Sequence, residues 1–536
     1  MKLSYSGIRE TKAWEEAGIS LPSYDPALLA ERTKKDPVWV HFGIGNIFRI
    51  FIGTIADQLI ESGDLDRGII CAETFDAEVV DKIYDPFDNL VMSVIMHGDG
   101  RRDLKVLGPL SEAVRADAGS PAGRERLKEI FRAPGLKMVS FTITEKGYSL
   151  RGADGSYLPY VKADMENGPE KASGAMGIVT AMLLERFRSC AGPLALVSMD
   201  NVSRNGKKLR ESVLETAKVW EEKGFAEAGF TDYVSDEDRV SFPWTMIDKI
   251  TPRPGEDIYE MLTGLGVEDM QPVVTARHTY IAPYANAEAP QYLVVEDHFP
   301  NGRPPLEKAG VYMADRETVN RSERMKVTVC LNPIHTAMCT YDCMFGYTFF
   351  ADGMKDPLLL KYAEKLGYDE GLPVVEDPGI LSPKAFLDEV LQERFPNVYL
   401  GDTSARIAVD ISQMVGIRFG ETIKAYVKKD GSAANLTAVP LAIAGWLRYL
   451  LAVDDEGRPF TLSPDPMIPE LTGMLEGIVF GRPESLTDQL KPILSNVNIF
   501  GIDLYEAGLG EKIGKMVRQM LEGKGAVRRT LAAYIE

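Results

Sequence analysis

Val38-Trp39-Val40-His41-Phe42-Gly43-Ile44-Gly45-Asn46-Ile47-Phe48-Arg49 starts as a compact apolar run, turns on two glycines and continues with helical periodicity. A strand, a tight glycine turn and a helix start, in that order, put backbone N–H groups and the positive end of a helix where a pyrophosphate can sit. The usual fingerprint has three glycines and Phe48 stands in the third place, so the stretch by itself reads equally as a plain strand-to-helix turn. On the nucleotide reading Gly43, Gly45, Asn46, Phe48 and Arg49 are the candidate cofactor contacts. The next apolar run, Gly68–Glu73, ends in an acid placed to accept both ribose hydroxyls. An acid there would repel a 2′-phosphate, which favours NAD over NADP. Asp76 competes for that role, and both acids also read as caps of a helix beginning near Ala77.

Working outward, further strands are predicted at Lys137–Thr144 and Leu194–Met199, with helices at about 46–63, 122–132 and 174–190. Compact apolar runs ending in polar residues or glycine are what strands buried on both faces look like, and such strands carry sites at their C-terminal ends. The second half is dominated by helical periodicity, so the simplest architecture is a parallel α/β domain followed by a helical one. Thr275–Lys308, with its PYANAEAPQ and FPNGRPP segments, reads as irregular, and the junction is placed just after it: 1–315 for the first domain, 316–536 for the second.

Composition narrows the function. A chain of 536 residues exceeds what one hydrophobic core usually serves. Its formal charge of −19 would repel a phosphate backbone and an anionic membrane, so no nucleic-acid or membrane partner is expected. An anionic small substrate would need a local cluster of Arg or Lys. The N-terminus has no apolar core of the signal-peptide kind, and the longest apolar stretches, Asn46–Ile60 and Leu441–Val453, are too short or interrupted to span a bilayer. Five cysteines without a CxxC pair suggest a reducing compartment, so a cytoplasmic protein is expected. Cys339 and Cys343 share a helix face but read as core residues.

Chemistry concentrates in Glu323-Arg-Met-Lys326-Val-Thr-Val-Cys-Leu-Asn332-Pro-Ile-His335-Thr336. Hydride transfer at an alcohol carbon needs a group that exchanges the hydroxyl proton and donors that polarise the oxygen. None of the five histidines, at 41, 97, 278, 298 and 335, has metal-ligand spacing, which leaves a side-chain acid/base. A lysine serves near neutral pH only where burial or a neighbouring charge lowers its pKa, and Val327–Leu331 could supply burial. Asn332 and His335, three apart, would share a face. Against this, Asn followed by Pro333 is also what a helix cap looks like, and a single lysine or histidine is more often structural.

Several separated motifs resemble the long-chain polyol and hexuronate dehydrogenases of the mannitol dehydrogenase family: His41–Gly45 with Arg49; Thr142-Ile-Thr144-Glu145-Lys146-Gly-Tyr148; Ser198-Met-Asp200-Asn201 with Asn205-Gly206; Phe242-Pro-Trp-Thr-Met-Ile-Asp248-Lys-Ile-Thr-Pro252; Lys326–His335; and Arg394-Phe-Pro-Asn397 leading to Asp402-Thr-Ser-Ala-Arg406. The resemblance covers most of the chain. It implies a Rossmann-like NAD-binding N-terminal domain, a mostly helical C-terminal domain and an active site in the cleft between them. Lys326 would be the general acid/base, with Asn201, Asn332 and His335 orienting and polarising the reacting oxygen. Asp200 would hold Asn201 and, with Thr144, Glu145 and Lys146, border the cofactor. Arg406 and Asp248 would position substrate, although Arg406 could equally pair with Asp402 or Asp410, one turn away.

The chain departs from the family pattern twice. The family usually has its lysine five residues before the asparagine and a glycine after it; here the gap is six and Pro333 follows, so the register must be absorbed by a bulge or a helix break. Met414 stands where a lysine is common, which points to a less charged substrate, to a relocated cation at Arg418 or Lys424, or to weakened catalysis. The expected reaction is NAD-dependent, metal-independent reduction of a keto-hexuronate, fructuronate to mannonate or tagaturonate to altronate, by a monomer or small homo-oligomer. The alternatives are a neutral polyol dehydrogenase for mannitol or arabinitol, and an NAD-binding protein or epimerase without net redox chemistry.

Overall fold

The computed structural model describes residues 1–152 and 154–536, and the chain divides into two compact units: Met1–Met96 with Arg101–Asn320, and His97–Gly100 with Arg321–Glu536. The first is built on six parallel strands, β1 Trp39–Phe42, β2 Ile69–Glu73, β3 Leu110–Arg115, β4 Met138–Phe141, β5 Leu194–Ser198 and β6 Val240–Ser241. Their spatial order is β3-β2-β1-β4-β5-β6. This is the doubly wound dinucleotide-binding order, which reverses between β1 and β4.

Strand periodicity explains the two cores. Val40, Phe42, Ile70, Ala72, Val139 and Phe141 face helices α2 Pro121–Arg132, α3 Ala175–Arg188 and α4 Asn205–Glu222. The alternate residues Trp39, Ile69, Cys71, Met138, Ala195 and Val197 face a helix that opens as a wide turn, Phe48–Ile52, and continues as α1 Gly53–Glu61. With both faces covered, β1, β4 and β5 are buried at every position, in keeping with their mostly apolar sequences. α2 begins on a Ser120 cap whose Oγ accepts from Gly123 N–H, with Pro121 at the first helical position.

The Thr275–Lys308 section is more ordered than expected. It contains strands Tyr280–Ile281, Tyr284–Glu288 and Tyr292–Glu296, of which the last two pair with Val91–Met96 and Thr245–Asp248. Its prolines do not prevent this: Pro283 and Pro290 sit just ahead of the strands, where a missing N–H leaves the ladders intact.

The second unit is helical. α5 Asn332–Phe345 packs on α6 Ala438–Tyr449, which is buried at every position. Gly445 permits the close approach, since a Cβ there would lie 2.7 Å from the Tyr341 ring, and the Tyr341 hydroxyl donates to Leu441 O at 2.8 Å. No helix among the described residues is long and apolar enough to cross a membrane.

Candidate active site

In the first unit the C-terminal ends of the central strands open onto a cavity of about 830 Å³. Gly43, Gly45, Glu73, Asp117, Thr142, Ile143, Thr144 and Lys146 border it. Gly43 has φ +92°, and a Cβ there would lie 2.2 Å from Thr142 O, so the turn accepts only glycine. Gly45 has nothing within 4 Å of a Cβ position, leaving the backbone open to a pyrophosphate. Glu73 accepts Phe75 N–H at 2.7 Å and Asp76 N–H at 3.1 Å through one oxygen and lines the cavity. Asp76 also borders the cavity but is buried, bonded through one carboxylate oxygen to the hydroxyls of Thr275 (2.6 Å) and Thr279 (2.5 Å). Glu73 is thus the more available acid, and cavity, glycine cradle and carboxylate together fit a dinucleotide without a 2′-phosphate.

Three expected cofactor contacts lie elsewhere. Phe48 is fully buried with its ring stacked on His41 at 4.0 Å. That explains the missing third glycine: its place is filled by core packing. Arg49 is buried and donates to Ala282 O (2.7 Å), Tyr284 O (3.2 Å) and the Asn46 side chain (2.5 Å), tying the helix start to a strand of the neighbouring sheet. Asn46 serves Arg49 rather than the cavity. His41 bonds Ser140 and Thr142, and burial pushes its pKa down to about 3, so it is a neutral structural residue.

The loop after β4 is held by Asp200. Its carboxylate accepts Ile143 N–H (2.9 Å), Thr144 N–H (3.0 Å) and the Tyr148 hydroxyl (2.6 Å), and Tyr148 in turn accepts from Ser198 at 2.8 Å. Thr144 is kept at φ +63°. Burial raises the Asp200 pKa, while these bonds oppose the rise. Asn201 is exposed just beyond β5, Asp248 ends its strand half-buried, and Glu145 pairs with Lys208 on α4. Tyr148 as an anchor, and the Arg277 guanidinium 4.6 Å over the exposed Phe75 ring at the cavity rim, were not foreseen. Neither has a local spacing signal.

In the second unit Lys326 is 2% exposed and opens a wide turn, Lys326–Cys330, closed by Leu331 N–H donating to Lys326 O at 3.1 Å. Leu331 breaks the helix at φ −131°, and α5 restarts at Asn332. A five-residue hydrogen-bonded turn takes up one extra residue, and this is how the six-residue gap is absorbed. Asn332 is not a side-chain cap; its Oδ1 is buried without a hydrogen-bond partner. His335, one turn on, is packed edge-on by Phe350 at 4.5 Å and stacked by Phe395 at 5.0 Å. Burial, then the nearby Arg418, Arg394 and Arg406 guanidiniums, push its pKa down to about 3. Arg406 forms the foreseen ion pair with Asp402 at 3.0 Å. Lys424 pairs with Glu421 at 2.5 Å, whereas Arg418 donates to the Thr336 hydroxyl.

A Rossmann unit with a dinucleotide-sized cavity, and a helical unit carrying a buried lysine near an amide and a neutral imidazole, define a nicotinamide-dependent oxidoreductase. The family model described as the mannitol dehydrogenase Rossmann domain matches residues 38–308, and that described as the mannitol dehydrogenase C-terminal domain matches 318–521. A D-mannonate oxidoreductase of Thermotoga maritima is 50% identical over 100% of this chain and 99% of its own length. A D-mannonate oxidoreductase of Escherichia coli is 29% identical over 91% of this chain and 92% of its own. The crystal structure of a substrate-free D-sorbitol dehydrogenase superposes with a TM-score of 0.79 at 25% identity, covering 96% of this chain and 98% of that one. The chain belongs to the mannitol dehydrogenase family and is an oxidoreductase acting on CH–OH groups.

Proposed function

We propose that the chain reduces a keto-hexuronate to the corresponding aldonate with NADH, with Lys326 as the general acid/base and no metal in the chemical step. The observation that carries this reading is the grouping, at the start of α5, of a buried lysine, an unsatisfied amide oxygen and a neutral histidine among three guanidiniums. The full-length relative named D-mannonate oxidoreductase supports fructuronate and mannonate as the pair; tagaturonate and altronate are the close alternative.

The nicotinamide supplies the hydride. Glu73 would hold the ribose hydroxyls of the cofactor, and the Gly43–Gly45 turn would hold its pyrophosphate on backbone N–H groups. In the reductive direction the Lys326 ammonium donates its proton to the oxygen of the reacting carbonyl as that carbon becomes tetrahedral; in oxidation the amine takes it back. His335 donates to the same oxygen as neutral imidazole, and Asn332 Oδ1 accepts an adjacent substrate hydroxyl. Burial of His335 between Phe350 and Phe395 strengthens its hydrogen bond relative to water.

The test is NADH oxidation at the nicotinamide absorbance band with fructuronate, tagaturonate and fructose, using Lys326→Met as control. Turnover on a uronate that falls by about 10²–10⁴-fold in the variant, with NADH affinity retained, is expected. Turnover on fructose alone would identify a neutral polyol dehydrogenase, which the uncharged Met414 suits, and NADH binding without turnover would identify a non-redox protein.

A further inference from the structure

We infer that Arg418 is the residue that reads the substrate's carboxylate and makes the site selective for sugar acids over neutral sugars. This rests on the keto-uronate reading above and names the group that gives it its charge selectivity.

Arg418 sits in the wide turn Gly416–Gly420, its N–H donating to Met414 O at 2.9 Å. Its side chain is half-buried and Nη1 donates to the hydroxyl of Thr336, the residue after His335 on α5. Its Nε is buried with no hydrogen-bond partner, and among the described residues no carboxylate pairs with it. Neighbouring cations are otherwise engaged: Arg406 pairs with Asp402, Arg324 with Glu376 and Glu421, and Lys424 with Glu421. A guanidinium taken from water without an acid is expensive, and a bidentate carboxylate is the ligand whose geometry its planar fork matches. Thr336, which Arg418 contacts, directly follows His335 on α5, so an anion bound to Arg418 lies at the turn that carries the imidazole. Met414, one turn earlier, is uncharged and cannot do this. The wide turn that carries Arg418 is fixed by Gly416 and Gly420, where a Cβ would lie 2.7 Å from Ile499 O and 2.0 Å from Phe500 O.

The experiment compares wild type, Arg418→Met and Arg418→Lys. It measures kcat/KM on fructuronate and on tagaturonate, inhibition by mannonate, NADH affinity by nicotinamide fluorescence, and the melting temperature. In Arg418→Met, kcat/KM on the uronate used by wild type and mannonate affinity are each expected to fall by about 10²–10³-fold, while NADH affinity stays within twofold. Arg418→Lys restores a point charge but no fork and is expected to recover part of the loss. Retention of uronate kcat/KM and mannonate affinity within threefold in Arg418→Met overturns the inference, as does a loss that NADH affinity and melting temperature share equally. A wild type inert on both uronates would refute the proposed function itself, and is read from the wild-type measurements alone.

Discussion

A methyl group added at Gly45 should leave the fold intact and spoil the cofactor site, whereas one at Gly43 should do the reverse in order of effect. At Gly45 the φ is ordinary and no atom lies within 4 Å of the new Cβ. Gly45→Ala therefore restricts only the unfolded chain, which stabilises by about 0.4–1 kcal/mol. Gly45 borders the cavity, and if its turn holds the pyrophosphate, a misfit of one methyl against a close-packed ligand costs about 1–3 kcal/mol, roughly a 5–150-fold weaker NADH Kd. At Gly43 the Cβ would sit 2.2 Å from the Thr142 carbonyl oxygen on a backbone with φ +92°. A left-handed conformation costs an L-residue about 1–2 kcal/mol and overpacking about 1–3, so Gly43→Ala should lose about 2–5 kcal/mol of stability before any ligand is added. Nicotinamide fluorescence titrations with urea melts of both variants read the two effects separately and need no sugar substrate. An unchanged NADH Kd in Gly45→Ala would show that the turn does not carry the pyrophosphate; an unchanged urea midpoint in Gly43→Ala would show that the turn geometry is wrong.

Asp200→Ala strands two backbone N–H groups and a tyrosine hydroxyl, and should lower stability by about 2–4 kcal/mol and weaken NADH binding, both measurable in the same titrations. Glu73→Gln removes the charge that opposes a 2′-phosphate; the ratio of kcat/KM with NADPH to that with NADH should rise by roughly 5–30-fold, and no change would transfer the ribose role to another group. Asp342, buried on α5 beside Ser404 with Asp352 and Asp356 nearby, has its pKa pushed up to about 8, mainly by burial. It stays protonated in the folded protein while the unfolded chain ionises near pH 4, so its contribution is full below that pH and is lost progressively as pH rises toward about 8. Asp342→Asn should then flatten the decline of the urea midpoint between pH 5 and pH 8; parallel curves would rule the mechanism out.

Much of this fold is encoded in local pattern. Mostly apolar runs at Trp39–Phe42, Ile69–Glu73, Met138–Phe141 and Leu194–Ser198 read as strands covered on both faces, and the two-glycine turn after the first offered a nucleotide reading beside that of a plain strand-to-helix turn, because hydrogen-bond geometry and helix dipole act within a few residues. Lys326, Asn332 and His335 were legible as a chemical cluster for the same reason: ten residues hold them. What tertiary structure decided was everything set by partners distant in sequence. Phe48 and Arg49 looked like cofactor contacts until a stacked His41 and the carbonyls of Ala282 and Tyr284, more than two hundred residues further on, claimed them. The Asp76 carboxylate is taken up by the hydroxyls of Thr275 and Thr279, about two hundred residues further on, while among the described residues Arg418 has no acid partner. The composition carries enough acids to pair every cation. Which cation stays without one depends on distances of a few ångströms that only the packed chain defines, because ion pairing and burial fall off over that scale while sequence separation does not register it.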